Sequence, residues 1–241
     1  MVKIGDMLDV STVDWPGRPA TVLFLSGCNF RCPFCFNENL AVGTTFYEID
    51  VDSIVAGLSK QKEFVNAVVL TGGEPTLQDI VPLCRKLKAA GFQIKLDTNG
   101  SRPEIVEQIL DEKLVDFVAL DVKGPFDNYI RVCGINNSAY GNAVKRTLGS
   151  VIKSGVDYEC RSPIVPGVNA DEDSLRAHAE SVKDAKTFVL EQFWAENGTI
   201  DPKLKDVKGL SHDEMVTAAK LFSNPVVKIR TREAGEETIK R

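Results

Sequence analysis

Seven short runs rich in strand-forming residues recur along this chain, and longer segments with helical periodicity lie between them. The runs cover residues 20–26, 67–73, 92–100, 115–124, 157–165, 186–193 and 226–230. Helices are expected at 51–65, 77–91, 102–113, 143–154, 171–182 and 211–222. Gly91 and Pro103 stand where a helix stop and a helix start want them. Parallel strands need crossovers of about this length, so the alternation predicts an α/β chain. Six strands are expected to form a partial (β/α)6 barrel of the TIM type, with 226–230 as an additional C-terminal strand. A flat doubly wound sheet is the competing architecture. One domain is expected over 1–241, with its core at about 18–230. The tail TREAGEETIKR is expected to be solvated and loose.

Six of the strand runs end in polar residues or glycine: FLSGC, VLTGGEP, KLDTNG, ALDVKG, ECRSPIVPG and VLEQF. Carboxyl ends of parallel strands share one rim, where barrels and open sheets carry their chemistry. Any one ending is also ordinary turn chemistry. The six together point to a shared polar site.

The first of these endings leads into SGCNFRCPFCFN, which puts Cys28, Cys32 and Cys35 on one loop. Gly27 and Pro33 disfavour a regular helix there. The other three of the six cysteines, Cys84, Cys133 and Cys160, are scattered, as buried small hydrophobes are. A structural zinc site wants four closed ligands, and no histidine adjoins the loop. His178 and His212 fall on expected helices and are read as surface residues. Three clustered thiolates suit a four-iron, four-sulfur cluster with one iron left open. A zinc site with a distant fourth ligand and a redox thiol group are the alternatives.

Composition narrows the class. Hydrophobic residues make up 43% of the 241, enough for a sizeable core. A net charge of −5, with both signs dispersed, gives no nucleic-acid footprint. No apolar run approaches the roughly 20 residues of a membrane span, and the N-terminal stretch lacks a signal-peptide core. A cytoplasmic protein is expected. No G-x-G-x-x-G follows the first run, no G-K-[ST] follows TGGEPT, and LFLSGC lacks the second glycine of a nucleophile elbow.

CNFRCPFC after the first strand and TGGEP after the second resemble the radical S-adenosylmethionine (SAM) superfamily. TVDWPG, LDTNG, ALDVKG and ECRSPIVPG are similar to segments of glycyl-radical-enzyme activating proteins, above all those of anaerobic ribonucleoside-triphosphate reductase. The likeness runs over residues 2–230. It implies a partial (β/α)6 barrel and a 4Fe-4S cluster on Cys28, Cys32 and Cys35. The open iron would chelate S-adenosyl-L-methionine, whose reductive cleavage yields methionine and a 5′-deoxyadenosyl radical. That radical would take a hydrogen atom from a glycine of a partner enzyme.

The resemblance also suggests roles for the other residues. Gly72 and Gly73 would let the cofactor approach the backbone, and Glu74 would accept from its ammonium group. Phe34 would pack on adenine. Asp97, Thr98 and Asp121 match positions that hold a monovalent cation in related activating proteins. Lys123 and Arg161 would add positive charge on the same rim, and Asp14 and Gly17 would shape the mouth. Phe36 departs from the family's frequent histidine after the third cysteine, which bears on the target. The expected partners are an anaerobic ribonucleotide reductase or similar glycyl-radical enzyme, and a ferredoxin or flavodoxin as electron donor. The rivals are a small-molecule reaction such as that of 7-carboxy-7-deazaguanine synthases, and a non-catalytic iron–sulfur or zinc protein.

Overall fold

The computed structural model describes residues 1–239. In chain order the elements are β1 (Val2–Ser11), β2 (Ala20–Leu25), α1 (Glu38–Val42), β3 (Tyr47–Ile49), α2 (Val51–Ser59), β4 (Ala67–Gly72), α3 (Val81–Ala89), β5 (Gln93–Thr98) and α4 (Pro103–Asp111). There follow β6 (Phe117–Asp121), α5 (Tyr129–Cys133), α6 (Ala139–Ser154), β7 (Asp157–Ile164), α7 (Glu172–Val182), β8 (Thr187–Gln192), α8 (His212–Ala219), β9 (Val226–Thr231) and β10 (Gly235–Thr238). All seven expected strands form. Among the described residues no helix is long and apolar enough to cross a membrane.

One sheet runs in the order β10-β9-β8-β7-β6-β5-β4-β2-β1-β3. From β2 through β4 to β9 neighbouring strands are parallel and follow chain order. Each right-handed crossover therefore steps the same way, which puts the helices on one face. A doubly wound sheet needs a reversal of order among its parallel strands, and none occurs from β2 through β4 to β9. The sheet stays open, with β3 and β10 at its edges.

Alternate residues on the strands face opposite ways. Leu23, Val68, Leu70, Ile94, Leu96, Val118 and Leu120 are buried in the large helix-covered core. On the opposite face, Trp15 packs with Ala20, Val22, Ala67 and Val69 and meets Phe117 at 6.2 Å between ring centroids. These residues sit at the strands' amino ends, so Trp15 plugs that end of the half-barrel. Toward the carboxyl ends the same face turns charged, and parallel register sets Asp121 beside Arg161 and Glu191 beside Arg230.

Three expectations need correction. The sheet takes in Val2–Ser11, ahead of the expected core, with Val2 and Ile4 buried. The tail is not loose over Gly235–Thr238, which pairs with β9 as β10; Glu236 holds Lys228 at 2.6 Å and Arg230 at 2.8 Å. A short connection with Gly235 at φ +72° permits the hairpin. Lys240 and Arg241, the end of that tail, lie outside the described residues.

His178 is the third correction. It is fully buried on the apolar stripe of α7, which also holds Leu175, Ala179 and Val182. Its Nε2–H donates to the Val122 carbonyl at 2.9 Å, and Phe188 and Phe222 meet its ring edge-on. Burial pushes its pKa down from 6.5 to about 4. Below about pH 6.5 the unfolded chain therefore binds a proton that the folded chain refuses, so stability falls with pH down to about 4. The shift corresponds to about 3 kcal/mol across that window. His178→Gln is expected to flatten this slope in urea melts between pH 7.5 and 4; an equal slope in variant and parent refutes the assignment.

Candidate active site

The cysteine loop leaves β2 and is pinned by backbone hydrogen bonds to four separate segments. Gly27 N–H and Cys28 N–H donate to Leu40 and Ala41 of α1, at 2.7 and 3.0 Å. Glu74 N–H, beyond β4, donates to the Gly27 carbonyl at 2.8 Å. Arg31 N–H donates to the Cys133 carbonyl at the end of α5 at 3.0 Å, and Asp201 N–H to the Pro33 carbonyl at 2.9 Å. Cys32 to Cys35 is a turn, closed by Cys35 N–H donating to the Cys32 carbonyl at 3.0 Å, with Pro33 in the position that turns favour. Phe30 packs edge-on against Tyr129 and Tyr140 and anchors the loop from behind.

The loop opens into a cavity of about 800 Å³ at the strands' carboxyl ends. All the expected site residues except Glu74 and Gly17 line it: Cys28, Cys32, Phe34 and Cys35 on one wall, Gly72 and Gly73 beside them, and Asp97, Thr98, Asp121, Lys123 and Arg161 across. Asp14 also reaches the cavity. Glu74 is fully buried behind the wall. Its oxygens accept from Thr76 N at 3.0 Å, Thr76 Oγ1 at 2.6 Å, Thr98 Oγ1 at 2.8 Å and Asn99 N at 2.6 Å. These bonds join the β4 and β5 tips through the residue expected to accept from a cofactor ammonium.

The charged rim is a chain of ion pairs. Arg161 reaches Asp121 at 2.6 Å and Asp97 at 3.1 Å, Lys123 holds Asp121 at 2.8 Å, and Lys95 holds Asp97 at 2.7 Å. Burial alone would raise the Asp121 carboxyl, but Arg161 and Lys123 outweigh it and hold it below the usual carboxylate range. Burial works against Asp97 in the same way, and Arg161 with Lys95 wins. The oxygen set expected to take a monovalent cation is thus matched by the protein's own cations, and Thr98 Oγ1 already bonds Glu74 and Gly100 N.

The sulfurs fit a cluster. Burial, and then the Glu74 charge, pushes the Cys28 thiol up to about 12, and burial raises Cys35. Such thiols keep their protons until a metal displaces them. Cys32 is pulled below its ordinary value, chiefly by a hydrogen bond from Cys133. Among the described residues no three His, Cys, Asp or Glu side chains converge as on a single ion. Three thiols on one loop facing a roomy cavity therefore suit a multi-iron cube better than a tetrahedral zinc.

Sequence reasoning missed several participants. Cys133 lies about a hundred positions from Cys32 and meets it only through α5. Lys95, 1% exposed, is at mid-strand and also donates to the Asp14 carbonyl at 2.7 Å. Arg230 joins Glu159 at 2.7 Å and Glu191 at 3.0 Å, and Arg232 stacks on Trp194 at 5.0 Å. The available signal was charge at every second position of β5, β7 and β9, which marks a polar inner face.

Comparison with known proteins agrees with this geometry. Residues 22–178 match the model of the radical SAM superfamily. A Methanocaldococcus jannaschii protein named for glycyl-radical enzyme activation is 36% identical over 200 residues, 79% of this chain and 79% of its own. The pyruvate formate-lyase-activating enzyme of Clostridium pasteurianum is 27% identical over 238 residues, 89% of this chain and 94% of its own. The solved structure of TYW1 with a lysine-pyruvate adduct superposes with a TM-score of 0.66 at 17% identity, over 90% of this chain and 77% of that one, a likeness of fold. Family, fold and cysteine loop agree on a 4Fe-4S cluster and S-adenosylmethionine as the cofactors: the chain belongs to the radical SAM superfamily.

Proposed function

We propose that this chain activates a glycyl-radical enzyme, an anaerobic ribonucleotide reductase or a close equivalent, by taking a hydrogen atom from a backbone glycine. Cys28, Cys32 and Cys35 would hold the cluster, with Phe34, Gly72 and Gly73 shaping the adjoining wall. When bound and reduced, the cluster and S-adenosylmethionine together supply the 5′-deoxyadenosyl radical. Arg161 and Lys123 would keep Asp97 and Asp121 ionised and fixed beside it, and Trp15 closes the far end of the half-barrel.

One observation carries the choice of an uncharged target. Every cation lining the cavity among the described residues is committed to a carboxylate: Lys123 to Asp121, Arg161 to Asp97 and Asp121, Arg230 to Glu159 and Glu191, and Arg232 to Glu196. An anionic small substrate meets no spare counter-charge there, whereas a glycine backbone needs none. Similarity to proteins named as activating enzymes over most of the chain supports the same reading. A ferredoxin or flavodoxin would supply the electron, since Cys84 and Cys160 are buried apart on α3 and β7.

The test is anaerobic reconstitution with iron and sulfide, then dithionite and S-adenosylmethionine. The expected products are methionine and 5′-deoxyadenosine, none of the latter from Cys32→Ala, and a glycyl-radical signal by electron paramagnetic resonance on an added anaerobic reductase. Cofactor cleavage with no radical on the reductase, but turnover of a deazaguanine precursor, would hand the assignment to the small-molecule rival. An intact cluster that never cleaves the cofactor would leave only the non-catalytic one.

A further inference from the structure

Asn99 sits at the end of β5, 4% exposed, and no role above uses its side chain. Its Nδ2 lies 3.7 Å from Cys28 Sγ and donates to Asn29 Oδ1 at 3.1 Å. Its Oδ1 accepts from Ser101 N–H at 2.9 Å, which fixes the amide's orientation: flipping it would set oxygen against sulfur and N–H against N–H. Its backbone N–H is held by Glu74 Oε2 at 2.6 Å. Asn29 Nδ2 returns to Ser101 Oγ at 2.9 Å, tying the cysteine loop to the β5 tip. Cys28 Sγ also accepts from Phe30 N–H at 3.4 Å, so two N–H groups aim at one sulfur.

We propose that Asn99 is a positioning residue for the cluster: its amide N–H orients the Cys28 sulfur and draws electron density from it. The inference needs the cysteine-held cluster of the family and not the identity of the hydrogen donor. Hydrogen bonds to cluster sulfurs set the reduction potential. The reduced cluster carries the extra negative charge, so an N–H donor favours it. The Glu74 carboxylate behind Asn99 pushes the other way. Asn99 stands between them, with its backbone N–H on the carboxylate and its side-chain N–H on the sulfur.

The test is a redox titration of the reconstituted protein, read by the paramagnetic signal of the reduced cluster. At the parent's midpoint potential half the parent's clusters are reduced. Asn99→Ala is expected to read lower there and Asn99→Asp lower still, because a carboxylate cannot donate and adds charge. Ser101→Ala, which loses its bonds to Asn29 but leaves the Asn99 amide in place, is expected to titrate with the parent. Fully loaded Asn99 variants with the parent midpoint overturn the proposal. Iron lost from both, with metal-free chains that melt as the parent does, supports it. Iron lost because the metal-free chains no longer fold overturns it in favour of a purely structural residue.

Discussion

Arg161→Met is expected to destabilise the chain by about 3–5 kcal/mol, the usual result of removing one partner from a buried ion network. The guanidinium on β7 bonds Asp121 on β6 at 2.6 Å and Asp97 on β5 at 3.1 Å, bridging three strands across the inner face. Methionine keeps much of the side-chain volume, so the loss is electrostatic. Asp97 is left with Lys95, and Asp121 with Lys123. Arg161→Lys retains the charge but not the fork that reaches both carboxylates, and an intermediate loss is expected. Both aspartates have folded pKa values below their ordinary range, with Arg161 the largest lowering influence on each. They therefore contribute stability that is present above the unfolded carboxylate pKa and lost as pH falls through the folded one. Removing Arg161 raises the folded values and shrinks that contribution. Urea melts at pH 7 and pH 4 read both effects, and the parent's advantage should narrow at the lower pH. A variant within about 1 kcal/mol of the parent at pH 7, a loss far below that of a broken buried ion network, would sink this account of the rim.

The sequence was most readable where a single period decides. The parallel strands announced themselves by apolar runs between helical segments, and CNFRCPFC lay within one loop, so no tertiary knowledge was needed to group its thiols. What stayed hidden depends on neighbours far along the chain. β1 carries Gly5, Asp6 and Asp9 and is exposed over much of its length, so its alternation is broken. Three-residue β3 becomes a strand only because β1 lies beside it. His178 looked like surface because histidine usually is, yet its spacing from Leu175 and Val182 already placed it on the core stripe. Glu74 lay in the most family-specific segment, yet nothing in that segment announced that strand adjacency would bring its oxygens to the β5 tip. Cys133 and Asn99 reach the thiolates through α5 and β5, contacts that no local pattern encodes.

The same glycine-to-alanine change is expected to have opposite signs at two places. At Gly73 a Cβ would stand 2.2 Å from the Gly27 carbonyl oxygen and 2.7 Å from its carbon. Those are backbone atoms, and two hydrogen bonds hold them there: Gly73 N–H to the Leu25 carbonyl and Glu74 N–H to the Gly27 carbonyl, each 2.8 Å. Relief requires the cysteine loop to move away from β4, carrying Cys28 with it. Overpacking of this kind costs about 1–3 kcal/mol. The effect on chemistry is larger, because a displacement of about 1 Å at a reacting centre can cost about a hundredfold in rate. At Gly57, on the exposed side of α2, a Cβ meets nothing within 4 Å, and alanine is expected to stabilise by about 0.5–1 kcal/mol through helix propensity. Gly73→Ala should therefore melt earlier, hold less iron after reconstitution and release little 5′-deoxyadenosine, while Gly57→Ala melts later and matches the parent in both assays. A Gly73→Ala chain that holds a full cluster and cleaves the cofactor at the parent's rate would mean that the close approach of β4 to the cysteine loop does not set the site.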